Sequence, residues 1–250
     1  MLSKLFKYEF NKQLGMLGKA ILIIIASVLG ANLVVYLLEA SKVADAGGVK
    51  MFCTILSLIT TLAIYFLCFL APIFSSISYN NNISSDTAYL MNTLPTTGGQ
   101  RVLSNFFANY LWTLISVFVG LTISIINHKS EFLNVDVLEN LVRDAIKEKP
   151  LILTFIVITV LFFIAAITMA NIMVNSLTIR FTDNKVLASI LAACSYLVFA
   201  GVVIISWIAG ASLKMELWTI FALECVVLFI ITFISYLLSS WILNKHINIV

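Results

Sequence analysis

Six long apolar stretches alternate with polar ones along the 250 residues, at roughly 20–38, 51–74, 102–126, 151–174, 186–208 and 217–243. Each has about 20 residues, the number that carries an α-helix across a bilayer core. Backbone groups in hydrocarbon must bond within their own segment, which selects helices. The apolar–polar alternation of barrel strands is absent. The pattern predicts an all-α membrane protein, one transmembrane domain over 1–250 with six transmembrane helices.

Three shorter patterns lie outside these stretches. In residues 1–18, Leu2, Leu5, Phe6, Phe10, Leu14 and Leu17 recur mostly at spacings of three or four, with Lys4, Lys7, Asn11 and Lys12 mainly opposite. This is an amphipathic basic helix suited to the headgroup plane, an interfacial helix. Residues 127–150 are the most charged stretch, and there Leu138, Leu141, Val142 and Ile146 share a helical face. Asn134 or Asp136 can cap that helix and Pro150 can end it, which predicts an external amphipathic helix over 134–147. In residues 75–101, Ser84, Ser85 or Asp86 can cap a helix start, and Pro95 disfavours helix at Leu94. A helix of two to three turns over 84–94 follows, with Thr96 or Thr97 capping the third span.

Composition strengthens this picture. Hydrophobic residues make up 61% of the chain and charged residues 11%, against about 25% charged in a soluble domain. Lipid, not water, is the solvent such a surface needs. The net charge of +3 is small, and no block of like charges points to nucleic acid. Six spans put both termini on one side. The basic residues divide almost evenly between the two sides, so the orientation rests on Lys4, Lys7, Lys12 and Lys19 beside the first span. They set the termini in the cytoplasm.

Candidate chemistry is sparse. Cys53, Cys68, Cys194 and Cys225 all fall in apolar runs, as small hydrophobes do, and imply no disulfide framework. No P-loop, H-E-x-x-H or G-x-S-x-G occurs, and His128 and His246 lie far apart outside the spans. The chain therefore reads as no enzyme, with no catalytic group, metal or cofactor of its own. Glu224 is the one charged residue well inside a span. A carboxylate there faces the bundle interior or water, either along a substrate path or bonded to a neighbouring helix. Asn109, with Asn105, and Asn171, with Asn175, form i, i+4 amide pairs. Such pairs hold helices together or line a cavity. Glu224, Asn109 and Asn171 are the candidate path residues.

Two segments carry a family resemblance. The start, Met1-Leu2-Ser3-Lys4-Leu5-Phe6-Lys7-Tyr8-Glu9-Phe10-Asn11-Lys12, is one. The stretch 86–101 is the other, with Tyr89-Leu90 followed by Thr93-Leu94-Pro95. Together they resemble the permease subunits of bacterial type-2 ATP-binding-cassette exporters. The resemblance implies an N-terminal amphipathic helix before six spans, and a short cytoplasmic coupling helix between spans two and three. On it Asp86, Thr87, Tyr89, Leu90, Met91 and Leu94 would meet a cytosolic ATPase subunit. It further implies a second permease copy or paralogue as partner, with ATP and Mg bound by the ATPase. The cytoplasmic membrane is the expected location, and a peptide or other amphipathic or hydrophobic compound the expected substrate. The alternative is a membrane interaction protein, an immunity or regulatory factor that transports nothing.

Overall fold

The computed structural model describes residues 2–40, 49, 51–56, 58–60, 62–63, 66, 74, 77–79, 96–126, 150–181, 190–191, 194, 201, 203–205, 208 and 216–247. The described residues are helical throughout, apart from short leads into helices, and contain no strand. Helix α1 is Leu2–Gln13, and a π-helical turn, Leu14–Gly18, joins it to α2, Lys19–Ala40. Helix α3 is Gly98–Ile126, α4 is Pro150–Phe181 and α5 is Leu217–Ile247.

Four of these helices, α2 to α5, are long and apolar enough to cross a membrane, over Lys19–Leu38, Gly98–Ile123, Thr154–Thr178 and Trp218–Lys245. They mark a membrane-embedded protein. Their exposed faces carry large apolar side chains such as Ile23, Phe118, Val157 and Phe233, which water would disfavour and lipid does not.

Side-chain contacts fix the helix directions. Along α4 and α5, Thr159 Oγ1 lies 3.3 Å from Cys225 Sγ, Phe162 meets Phe229 edge-on, and Ile172 shares a cluster with Leu243. Both sequences climb together, so α4 and α5 are parallel. This is the most extensive helix contact among the described residues. Ala166 and Ala170 pack there with Leu228, small side chains that let two helices approach closely. Helix α3 runs the other way. Its first residue donates from Gly98 N to Asn244 Oδ1 at 2.8 Å, and Val102 packs with Ile172 and Leu243. Helix α2 climbs with α3, since Ile21 clusters with Trp112 and Val28 with Ile123. Ala63 joins the Ile123 cluster, Phe74 the Trp112 cluster and Tyr79 the Val102 cluster. Ala63, Phe74 and Tyr79 therefore lie at successively lower levels of α3.

Of the remaining expected elements, the helix over 84–94 and the helix over 134–147 lie outside the described residues. The stretches 51–74 and 186–208 are described only in part, and every described residue in them is helical.

Candidate functional site

Polar side chains gather where the start of α3 meets the ends of α4 and α5. Helix α3 begins with a reciprocal cap. Thr97 Oγ1 accepts from Gln100 N at 3.3 Å, and Gln100 Oε1 accepts from Thr97 N at 3.4 Å. This arrangement satisfies two amides that the first turn leaves without helical partners. Of the two threonines the sequence offered, Thr97 caps the helix, while Thr96 Oγ1 accepts from Arg101 Nε at 2.9 Å.

Gly98 and Gly99 let α5 press onto this start. A Cβ on Gly98 would lie 2.7 Å from Asn244 Oδ1 and 3.0 Å from Asn244 N. One on Gly99 would lie 2.9 Å from the Tyr236 hydroxyl. Asn244 thus caps α3 from another helix.

Helix α1 lies along the first half of α3. Its packed face is a stripe at every fourth residue, Leu5, Glu9 and Gln13, which Leu17 and Ile21 continue through the π turn. Glu9 is 0% and Gln13 2% exposed, while Leu14, on the apolar face, is 49% exposed. The reason lies on α3, where the face turned toward α1 carries an amide. Gln13 Nε2 donates to Asn109 Oδ1. Phe10 then stacks on Trp112 with ring centroids 5.1 Å apart, and Trp112 Nε1 donates to Phe10 O at 3.4 Å. In an apolar surrounding a buried amide demands a polar partner, and that demand outranks one more buried leucine. One turn earlier on α3, Asn105 Nδ2 donates to Arg101 O at 3.1 Å.

Tyr79 stands at the centre. Its ring is buried with Val102 of α3, Met169 and Ile172 of α4 and Leu243 of α5, with Tyr236 and Phe106 beside them. Its hydroxyl lies 2.7 Å from Ser176 Oγ. Ser176 Oγ also donates to Ile172 O at 2.7 Å. A serine hydroxyl has one proton, so Tyr79 is the donor in its own bond. Burial pushes the Tyr79 phenol well above the usual range. The charge on Glu9 adds to that rise, and the charge on Arg101 opposes it. Both charges act on this one hydroxyl, so α1 and the start of α3 are electrically part of the site.

The candidate path residues are not brought together. Asn109 is buried against Gln13. Asn171 is buried on α4 with Asn175 one turn on. Glu224 is 5% exposed on α5 beside Cys225, at the level of Thr159. That level is about 18 Å along α4 from Asn171 at 1.5 Å per residue. The coupling candidates Asp86, Thr87, Tyr89, Leu90, Met91 and Leu94 lie outside the described residues. Among the described residues no group of three His, Cys, Asp or Glu side chains is placed to hold a metal ion.

Glu9, Gln13, Tyr79, Arg101 and Ser176 were not singled out by the sequence reading. One signal was present. Glu9 and Gln13 fill the positions between Leu5 and Leu17 in an i, i+4 series. Compared with known proteins, the chain matches no family model, no curated protein and no solved structure.

Proposed function

We propose that this chain is the permease subunit of a bacterial type-2 ATP-binding-cassette exporter. It moves a peptide or other amphipathic or hydrophobic substrate across the cytoplasmic membrane and is driven by a separate ATPase. Six spans are the natural completion of the described helices. Adjacent parallel helices need an odd number of crossings between them. Helices α4 and α5 are parallel, and the 35 residues between Phe181 and Leu217 contain the apolar stretch 186–208. Helices α2 and α3 are parallel too, and the apolar stretch 51–74 lies between them, with Ala63 and Phe74 descending along α3. In this topology both termini and the 80–95 segment share the cytosolic side. There 84–94 is the coupling helix, and α1 lies at the cytosolic interface against α3.

The observation that carries the reading is how the 80–95 segment is mounted. On one side Tyr79 is wedged among three helices. On the other, Arg101 holds Thr96, and Asn244 caps α3. A loop of no mechanical consequence needs no such fastening, whereas a lever needs one at both ends. ATP and Mg belong to the cytosolic ATPase, and a second permease copy or paralogue completes the pathway.

The test is affinity purification of the tagged chain from its native membrane in mild detergent. A vanadate-sensitive ATPase should co-purify, and Tyr89→Cys should react with an impermeant maleimide only after the cytosolic side is opened. Labelling of position 89 from intact cells would refute the topology. Absence of any ATPase would refute the function.

A further inference from the structure

Tyr79 has more than a packing role. The hydrogen bonds run in one direction, from the Tyr79 hydroxyl to Ser176 Oγ at 2.7 Å and from Ser176 Oγ to Ile172 O at 2.7 Å. This relay joins the residue that leads into the 80–95 segment to the backbone of α4, at the end of the stretch where α4 is buried on every side. Ala166 through Ile172 are buried without interruption, and Asn175 and Ser176 follow. A helix gripped in this way moves as a rod, because close-packed interiors transmit displacement rather than absorb it.

The second stem of the 80–95 segment ends in the same place. Thr96 is held by Arg101, and Arg101 and Glu9 both act on the Tyr79 hydroxyl. A pull on the stem that ends at Tyr79 therefore reaches α4 through its hydrogen bond to Ser176. Phenylalanine at 79 would fill the same space among Val102, Met169, Ile172 and Leu243 but would have no proton to donate.

We propose that Tyr79 is the positioning residue that passes displacement of the 80–95 segment to α4, through its hydrogen bond to Ser176. The proposal rests on the reading that this segment meets an ATPase. It goes further by naming the bond that carries the motion.

The experiment uses the co-purified complex in lipid nanodiscs, with the four native cysteines replaced by alanine. Spin labels are placed at Leu121→Cys on α3 and Val157→Cys on α4, both exposed and both at the end of the bundle away from Tyr79. In the parent complex, trapping with ATP and vanadate should change the distance between the labels. Tyr79→Phe and Ser176→Ala should each keep ATP hydrolysis but lose at least half of that distance change. The double variant should lose no more than either single one, since both remove the same bond. If Tyr79→Phe lowers the melting temperature but leaves the full distance change, the residue is only structural and the proposal is overturned. If the parent brings down no ATPase, or its label distance ignores vanadate, the exporter reading itself is overturned.

Discussion

The two halves of α4 differ in polarity and have opposite surroundings. From Thr154 to Leu161 the helix turns Ile156, Val157, Ile158, Val160 and Leu161 outward, with Val157 52% exposed. From Ala166 to Ile172 it is buried, as are Asn175 and Ser176 beyond, and this half carries Thr168, Asn171, Asn175 and Ser176. In a soluble protein the apolar half would be the core. Here the order is reversed, because lipid accepts an isoleucine as readily as a protein interior does. What lipid rejects is the amide and the hydroxyl. The interior of this bundle is therefore marked by its polar residues and by small ones, Ala166 and Ala170, which let α5 come close.

The contrast can be broken most sharply at two glycines. Gly98 sits where α3 meets α5, with backbone and side-chain atoms within 3.0 Å of any added Cβ, whereas Gly30 on α2 has nothing within 4 Å. Gly98→Leu must push α5 off the start of α3 and remove the Asn244 cap. The expected loss is about 3 kcal/mol, seen as a much lower yield of folded protein and an earlier thermal transition in detergent. Gly30→Leu should stay within about 0.5 kcal/mol of the parent. Equal effects at the two positions would mean that the α3–α5 contact is not a structural joint.

The same test within α4 should give a smaller difference. Ala170→Leu overfills the contact with Leu228 and should cost about 2 kcal/mol, while Val157→Leu on the outward half should be silent. Below that comes the amide pair. Asn109→Leu leaves the buried Gln13 without its acceptor and should cost about 1–2 kcal/mol. Joining it with Gln13→Leu should recover most of the loss, since removing both partners is cheaper than stranding one. Thermal unfolding followed by tryptophan fluorescence reads all four variants. A double variant worse than Asn109→Leu alone would show that Gln13 has a second task.

These comparisons explain what the sequence revealed and what it did not. The four long helices were legible because crossing hydrocarbon needs some 20 apolar residues, a condition local to each segment. The cap at Thr97 was legible for the same reason. The packed face of α1 was not. Apolar spacing marked the face suited to the membrane interface, whereas the face packed on α3, through Glu9 and Gln13, is chosen by Asn109, 96 positions from Gln13. Asn109 itself stood out because it is polar within an apolar run. Tyr79 did not, since it sits in the polar run Ser78–Asn82 and reads there as a surface residue. Its burial is made by Val102, Ile172 and Leu243 together, and no window of sequence contains all three. Glu224 is buried as its polarity implied, yet a single span gives no information about which residues of other spans share its level.

The smallest expected effect lies at Tyr79 and is a matter of pH. An unfolded tyrosine loses its proton near pH 10. The buried Tyr79 phenol holds its proton well above that value, chiefly because burial penalises the phenolate. Below about pH 10 both states carry the proton, and the contribution of Tyr79 to stability is fully present. Above it the unfolded chain binds fewer protons than the folded one, so stability falls as pH rises, by at most about 1.4 kcal/mol per pH unit for a single group. Tyr79→Phe removes that slope along with the bond to Ser176. The variant should therefore be less stable than the parent by about 1 kcal/mol at neutral pH. The gap should narrow between about pH 10 and about pH 11.5. Parallel melting curves for the two proteins across that window would show that water reaches the Tyr79 hydroxyl, and the wedge among α3, α4 and α5 would then not be a dry one.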